Sequence, residues 1–296
     1  MLVDVETFLL YSLVNTYTYC LIYYLKDNIG NYDAVDDAYH GGYHLNPMLM
    51  PVAIEGTLHA FGSCYVLNPE GYMFDFKKTN CEWMINDMVC ELAGPDFARE
   101  FWQAFKDNYI TEADIAYIKQ TGANTIRLPF NYKLFTREDY MGKNDETEGF
   151  KQMDKVIDWC RKYDLHLILD MHDCPGGQTG DNIDNGHGYP WLFESEASQQ
   201  LFCQIWQKIA SRYKDEPVIL GYELMNEPIA TMFSDTVRAS LNAKLEPLYK
   251  RATKAIREVD LNHIILLGGA QWNGNFEPFS DWKFDDKIMY TCTWAR

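Results

Sequence analysis

The feature that most constrains the fold of this chain is a short apolar segment that ends in Asn-Glu-Pro, residues 218–228, VILGYELMNEP. The segment is β-prone, is too short for an independent helix and lies between Pro217 and Pro228, a pattern that predicts a buried strand. Because Pro228 cannot donate a ladder hydrogen bond, we expect the strand to end there and to leave Glu227 at its carboxyl end. Ligands bind at that end of the strands in parallel α/β folds.

Two interpretations of Glu227 are open at this point. A carboxyl group held beside an amide suits a proton donor for the glycosidic oxygen of a sugar. Alternatively, Glu227 only caps the next helix, because helix N-termini favour acidic side chains. The rest of the chain is needed to choose between the two.

Composition excludes several classes of partner. The chain has 296 residues, of which 47% are hydrophobic and 23% are charged, and its net charge is −17. These fractions are ordinary for a soluble globular protein, whereas the negative charge argues against nucleic acid and anionic membrane surfaces as partners. Neutral polysaccharides stay compatible with it. Aromatic residues make up 15% of the chain, and their flat rings suit the faces of sugars.

The amino-terminal segment has an uncharged stretch, residues 7–25, which carries no charge over 19 positions. That length is sufficient to consider a membrane span. The stretch is rich in Thr, Ser, Asn and Tyr, and it follows Asp4 and Glu6 rather than a basic amino end. A small-residue cleavage site is also missing. The stretch is therefore a poor signal sequence and a doubtful anchor.

Helical and strand patterns alternate along most of the chain. Helices are predicted within residues 97–106, 115–118, 150–160, 201–209 and 241–259. The second of these helices begins after a capping box, Thr111–Asp114, and ends at Gly122. Between them lie six predicted strands, residues 57–66, 123–128, 165–171, 218–225, 263–267 and 287–293. This alternation predicts an α/β fold with a parallel sheet and right-handed crossovers. A (β/α)8 TIM barrel has eight such strands, so about six of eight are present.

Three predicted strands end in unusual chemistry. The first places Arg127 in an apolar strand, where a buried guanidinium implies a glutamate nearby. The second ends in His172 before a Gly-rich turn, and the third ends in Glu227. Each has a plain alternative, namely a structural ion pair, a satisfied core histidine and a helix cap. Three coincidences at one end of one sheet favour a functional site.

These motifs resemble those of glycoside hydrolase family 5, the cellulase-type (β/α)8 barrels. The matching segments are residues 126–129, IRLP; 170–178, DMHDCPGGQ; 226–228, NEP; and weakly 268–273, GGAQWN. Residues 67–74, LNPEGYMF, also look like the loop after the first strand of that family. The resemblance covers roughly residues 55–292, and it assigns the barrel domain to residues 51–296 and leaves residues 1–50 unassigned.

The resemblance implies a retaining mechanism with specific roles. Glu227 would be the acid/base, and Asn226 would hydrogen-bond the 2-hydroxyl of the substrate. Arg127 would keep the second carboxylate ionised, and His172 would line the subsite where the sugar is cut. The expected stacking platforms, each of which is equally compatible with a place in the core, are Tyr189, Trp191 and Trp272.

The chain departs from the family pattern at its ends. The nucleophile of the family is a second Glu after strand seven, and the sequence matches the family only to strand six, so it looks truncated at the carboxyl end. A family His near strand six matches Thr293 here. A less favoured idea is that Glu6 replaces the nucleophile. Without barrel closure, we expect the outer edges of the first and sixth strands to stay unpaired, which favours aggregation.

The sequence thus favours a hydrolase of β-1,4- or β-1,3-linked glucan, and the alternative is a catalytically silent carbohydrate-binding protein or inactive fragment. The expected partner is a polysaccharide or oligosaccharide, with no nucleic acid and no membrane partner. No cofactor or metal is implied, because the chemistry needs two carboxyl groups and water. The eight cysteines have no Cys-x-x-Cys pair and are expected to be buried thiols. By the resemblance, the expected location is extracellular or periplasmic.

Overall fold

The computed structural model describes residues 51–54, 57–63, 81–108, 110–120, 122–138, 145–182, 184 and 186–291. Four features named from the sequence lie outside these residues: the uncharged stretch 7–25, Glu6, the loop 67–74 and Thr293. Among the helices of the described ranges, none has the length and apolar character needed to cross a membrane.

In the described part of the chain, seven strands form one sheet, in which they follow the order of the chain. Their bounds are β1 Pro51–Ile54, β2 Thr57–Ser63, β3 Thr125–Asn131, β4 His166–Asp173, β5 Ile219–Glu223, β6 Ile264–Gly268 and β7 Ile288–Thr291. β1 pairs with β2 in antiparallel orientation, and every later pair from β2 to β7 is parallel. The predicted α/β class, with six parallel strands of a (β/α)8 TIM-barrel type, is confirmed.

Helices separate most of the parallel strands. Their bounds are α1 Glu82–Ala93, α2 Pro95–Asn108, α3 Glu112–Gln120, α4 Glu148–Lys162, α5 Glu196–Tyr213 and α6 Asp235–Arg257. The positive φ of Gly122, +88°, follows the end of α3, as expected for a residue without a Cβ at a helix end. The sequence did not predict α1. Helices α4, α5 and α6 each connect two neighbouring parallel strands, which is the arrangement that parallel pairing requires.

The core lies between the sheet and these helices. All seven residues of β3 are buried, and in β4 only the first residue is not. The apolar faces of the helices cover the sheet with large side chains such as Trp206 of α5 and Tyr249 of α6, both fully buried. Trp206 donates its Nε1 hydrogen to the carbonyl of Leu224 at 3.0 Å, so that its polar atom is satisfied in the core. This packing holds the carboxyl ends of β4 and β5 in fixed positions.

Three expectations about local structure were wrong. β5 ends at Glu223 and not at Glu227. The backbone turns away before Pro228, although the Asn226 amide still donates to the Met171 carbonyl at 3.2 Å. Only half of the capping box forms, since the amide and hydroxyl of Thr111 both donate to Asp114. The outer edge of the first parallel strand is not unpaired, because β1 pairs with it.

Candidate active site

Glu227 lies in a strained turn just beyond the carboxyl end of β5. Its φ is +43°, and that of Ile229 is +60°, in the left-handed region that residues with a Cβ rarely adopt. Such strain persists only where the surrounding structure holds it, and it is concentrated at functional sites. The interpretation of Glu227 as a helix cap is wrong, because α6 begins at Asp235 and its N-cap, Ser234, accepts from the amide of Val237.

Arg127 links three strands below this turn. It lies on β3, and its Nε and Nη2 donate to the two carboxylate oxygens of Glu223 on β5 at 2.6 and 2.9 Å. Its Nη2 also lies 2.9 Å from Asp170 Oδ2 on β4. All three side chains are buried, and a buried guanidinium requires such partners. The glutamate that the sequence implied is therefore Glu223. Arg127 also forms a structural ion pair, which was the alternative interpretation of this residue.

The orientation of the Asn226 amide follows from its contact with Arg127. Asn226 Oδ1 accepts a hydrogen bond from Arg127 Nη2 at 2.9 Å. Because an amide has its acceptor and donor on opposite sides, this contact turns Nδ2 of Asn226 toward His172, whose Nε2 lies 3.3 Å away. Asn226 is therefore held by a charged group and presents N–H donors next to Glu227.

His172 contacts a partner through each ring nitrogen. Nδ1 lies 2.8 Å from Asp170 Oδ2, and Nε2 faces Asn226 Nδ2. Since Nδ2 can only donate, Nε2 of His172 must accept, and the ring proton is then on Nδ1 and is donated to Asp170. The contacts fit a neutral imidazole whose tautomer Asp170 sets. His172 is indeed a satisfied buried histidine, and its contact with Asn226 also places it in the site.

The charge balance of this cluster affects Glu223. Burial raises the pKa of Glu223 above its ordinary value of 4.5; the charge of Arg127 opposes this rise, and that of Asp170 adds to it. One guanidinium thus faces two buried carboxyl groups, so full ionisation of both is costly. The contacts of the Arg127 guanidinium with Glu223 and Asp170 nevertheless link β3, β4 and β5 beneath the Asn226–Glu227 turn.

The predicted aromatic platforms differ in their surroundings. Tyr189 and Trp191 lie in the loop between β4 and α5, with ring centroids 4.9 Å apart, and Trp191 is 51% exposed. Tyr189 is half-buried and contacts the ring of Phe233, which follows the Glu227 turn, at 5.7 Å. Trp272 is half-buried in the turn Ala270–Asn273 after β6, where its φ is +57°. The structure therefore brings Tyr189 and Trp191 together, and Trp272 stands on another loop.

Two residues of the cluster were missed from the sequence. Asp170 lies within the matched segment 170–178 and Glu223 within the predicted strand 218–225, but neither residue was given a role from the sequence. Both are acidic residues inside buried strands, where an ionised carboxyl group demands a cationic or hydrogen-bonding partner. That demand, set beside the buried Arg127, is the signal that would have identified them.

Within the ranges that the structure describes, no group of three or more His, Cys, Asp or Glu side chains could hold a metal ion. The groups that lie at the turn are carboxyl, amide, imidazole and guanidinium groups. Proton transfer by Glu227 and hydrogen bonding by Asn226 are the functions that these groups can perform at the end of β5.

Comparison with known proteins relates this chain to a family of glycosyl hydrolases. A family model described as Cellulase (glycosyl hydrolase family 5) matches residues 79–292, a range that includes Arg127, His172, Asn226 and Glu227. A β-xylosidase of Phanerodontia chrysosporium is 33% identical over 216 residues, which are 73% of this chain and 43% of the relative. Endoglucanase C of Acetivibrio thermocellus is 35% identical over 186 residues, which are 62% of this chain and 50% of the relative.

Among solved structures, endoglucanase Cel5A from the hyperthermophilic Thermotoga maritima is similar to this chain, with a TM-score of 0.48 and 24% sequence identity. The similarity covers 62% of this chain and 53% of that chain. The chain spans about half the length of the curated relatives that it matches.

Proposed function

The chain belongs to glycosyl hydrolase family 5, and from this premise we propose that it hydrolyses β-linked glucans by a retaining mechanism in which Glu227 is the acid/base. The observation that carries the proposal is the strained turn that presents Glu227, φ +43°, beside an Asn226 amide fixed by Arg127. A carboxyl group in this setting can protonate the departing sugar and then activate water.

Asn226 supports the same reaction. Its amide nitrogen has two hydrogens, and one of them faces His172 Nε2. The other can donate to the 2-hydroxyl of the sugar, a contact that strengthens as the oxocarbenium-like transition state forms. Arg127 and His172 act on the substrate through Asn226 in this arrangement, because both hold its side chain.

A retaining enzyme needs a second carboxyl group about 5 Å from the acid/base. The family resemblance expects this nucleophile after a seventh parallel strand, whereas the sixth parallel strand, β7, is the last one in the described ranges. The presence of a nucleophile is therefore a part of the proposal, and activity measurements test it. β-1,4- and β-1,3-linked glucans are the proposed substrates, and Endoglucanase C is among the similar proteins.

Tyr189 and Trp191 are proposed as a sugar-stacking platform. Their rings lie 4.9 Å apart, and Trp191 is half exposed although it is large and apolar. Exposed aromatic rings of this kind suit the flat apolar faces of pyranose rings. Contact between Tyr189 and Phe233 connects the platform to the segment that follows Glu227.

The test measures reducing-sugar release by residues 1–296 from carboxymethyl cellulose, laminarin and mannan. Glu227→Gln should lower turnover of the preferred glucan by about 10²- to 10⁴-fold, the usual contribution of a general acid/base. Glu100→Gln is the control, because Glu100 is exposed on α2. Retention is tested by NMR of the first product formed, which should be the β-anomer.

The alternative, a silent carbohydrate-binding protein, predicts a different outcome of the same experiment. Glucan would then bind to the wild-type chain and to Glu227→Gln equally, and neither would release reducing sugar. Turnover that is unaffected by Glu227→Gln would instead reject Glu227 as the acid/base. We also propose an extracellular or periplasmic location, where polymeric glucan is met; fractionation of the producing cells tests it.

A further inference from the structure

Gln178 is a fully buried amide that connects β4 to the Glu227 turn. It lies in the Gly-rich loop after β4, and its side chain is 0% exposed. Its Nε2 donates to the carbonyl of His172 at 2.6 Å and to the carbonyl of Asn226 at 2.9 Å. Its Oε1 accepts from the amide of Cys174 at 3.0 Å. Both side-chain hydrogens are therefore used on backbone carbonyls of the site.

The backbone of the same loop holds the other side of the turn. The Ile229 amide donates to the Gln178 carbonyl at 2.8 Å, and the Ala230 amide donates to the Thr179 carbonyl at 3.0 Å. Thr179 is itself fixed, because its amide donates to the buried carboxylate of Asp184 at 2.7 Å. Residues before and after Glu227 are thus bonded to residues 178 and 179.

These contacts explain why the turn keeps an unfavourable conformation. Glu227 and Ile229 both have positive φ, although each carries a Cβ and would relax toward right-handed values if released. The bonds from Gln178 to Asn226 and from Ile229 to Gln178 lie on either side of Glu227. A loop that is bonded at both sides cannot relax at its centre without breaking buried hydrogen bonds.

We propose that Gln178 is a positioning residue that holds Glu227 in its left-handed conformation and thereby aims its carboxyl group. The effect of Gln178 on catalysis rests on the proposed function. Its effect on the conformation of the Glu227 turn does not. Gln178 contacts backbone atoms only, so it acts through Asn226 and Ile229 and not on the substrate. Loss of its amide leaves the carbonyls of His172 and Asn226 without these donors.

The test uses Gln178→Met, which keeps the length of the side chain but cannot donate. The matched control is Gln152→Met, because Gln152 is also buried and donates to a single partner, Glu148, on the outer helix α4. Gln178→Glu is the second variant if Gln178→Met does not fold, since it keeps an acceptor for the Cys174 amide and, whether ionised or protonated, cannot donate to both carbonyls.

The first readout is hydrogen exchange of the Ile229 and Ala230 amides by NMR, measured in the full chain. Gln178→Met should speed exchange at both amides by about tenfold or more relative to amides of α4, because local opening precedes exchange. Gln152→Met should leave both rates unchanged. Wild-type rates at Ile229 and Ala230 in Gln178→Met would overturn the inference.

The second readout separates positioning of the acid from general damage. For cello-oligosaccharides, whose leaving group needs protonation, Gln178→Met should lower kcat/KM by about 10- to 100-fold. For 2,4-dinitrophenyl β-cellobioside, whose leaving group departs without it, kcat/KM should stay within about threefold. Equal losses on both substrates would overturn the positioning role. A wild-type chain that cleaves neither substrate would reject the proposed function, while the exchange rates still decide the conformation of the turn.

Discussion

Arg127 and Glu223 form a two-point ion pair that spans from β3 to β5 across β4, with N···O distances of 2.6 and 2.9 Å. Neighbouring strands lie about 4.8 Å apart, so the pair bridges about 10 Å of sheet. Asp170 on the intervening strand contacts the same guanidinium at 2.9 Å. The site therefore rests on a buried charge network that ties three parallel strands together beneath Asn226 and Glu227.

Removal of the cation should destabilise the fold strongly. Arg127→Met leaves Glu223 and Asp170 buried without their guanidinium, and breaking a buried pair costs about 3–5 kcal/mol in the free energy of unfolding. The double variant Arg127→Met with Glu223→Leu should recover part of this loss, because it removes one of the two stranded carboxylates. Urea unfolding of Arg127→Met, Glu223→Leu and the double variant checks the prediction, and additive losses would contradict the coupling.

Asp170→Asn should change the tautomer of His172. The carboxylate of Asp170 accepts the Nδ1 proton of His172, and an amide can offer a donor in its place. The Nε2 tautomer can then form, and it faces Asn226 Nδ2 with a hydrogen instead of a lone pair. We expect the Asn226 amide to turn and kcat/KM to fall by about tenfold or more, with the tautomer read from the ¹⁵N shifts of His172.

A second buried Asp–His pair supplies the control for this prediction. Asp260 Oδ2 lies 2.6 Å from His263 Nδ1 and accepts from the hydroxyl of Tyr222 at 2.7 Å. His263 directly precedes β6 and so lies at the amino end of the sheet, away from Glu227. Asp260→Asn should lower the free energy of unfolding while kcat/KM of the folded protein is unchanged. Equal kinetic effects of the two variants would reject the special role of Asp170.

Hydropathy periodicity was sufficient to predict the parallel strands β3 to β7 and the helices α4, α5 and α6, because their packing repeats along the chain. The turn at Glu227 was beyond such reasoning. We attribute its positive φ to hydrogen bonds with residues 178 and 179, which are distant in sequence. The position of Glu227 at the end of a strand was inferred from Pro228, whereas β5 had already ended at Glu223.

The buried network shows the same limit. Arg127 alone indicated that a glutamate was close, because a charge in a buried strand needs a partner. The identity of that glutamate depends on the strand order and on the register between β4 and β5. In this register Asp170 pairs with Glu223. Side-chain reach across a sheet is a property of the assembled strands, so it could not be found from any one segment.

Stability should depend on pH through Glu246. Burial acts to raise the pKa of Glu246, but hydrogen bonds from the amide and hydroxyl of Ser280, with Lys250, lower it from 4.5 to about 2. A carboxyl group with a lowered folded-state pKa stabilises the fold above its unfolded pKa, and this contribution is lost as pH falls toward the folded value. The contribution should therefore be complete at pH 6 and should fade between pH 4.5 and about 2.

Urea unfolding of wild type and Glu246→Gln across this pH range measures the effect. The difference in free energy of unfolding between the two proteins should be largest near pH 6 and should shrink as the pH approaches 2. Glu258→Gln is a useful comparison, because Glu258 is not fully buried and contacts Gln207 on the surface. A difference that stays constant with pH would show that Glu246 acts through packing instead of its charge.

Trp191→Ala should weaken substrate binding without affecting the fold. Trp191 is 51% exposed and its main ring contact is Tyr189, so the free energy of unfolding should change by no more than about 0.5 kcal/mol. Loss of an aromatic contact with the sugar should raise KM by about fivefold, which corresponds to about 1 kcal/mol.

Trp282→Ala is the control, because Trp282 is 48% exposed and packs on Phe279 and Tyr290. Because Phe279 and Trp282 lie on the segment between β6 and β7 and Tyr290 lies in β7, Trp282→Ala should lower stability and leave KM unchanged. A KM that rises equally in both variants would mean that Trp191 is no platform.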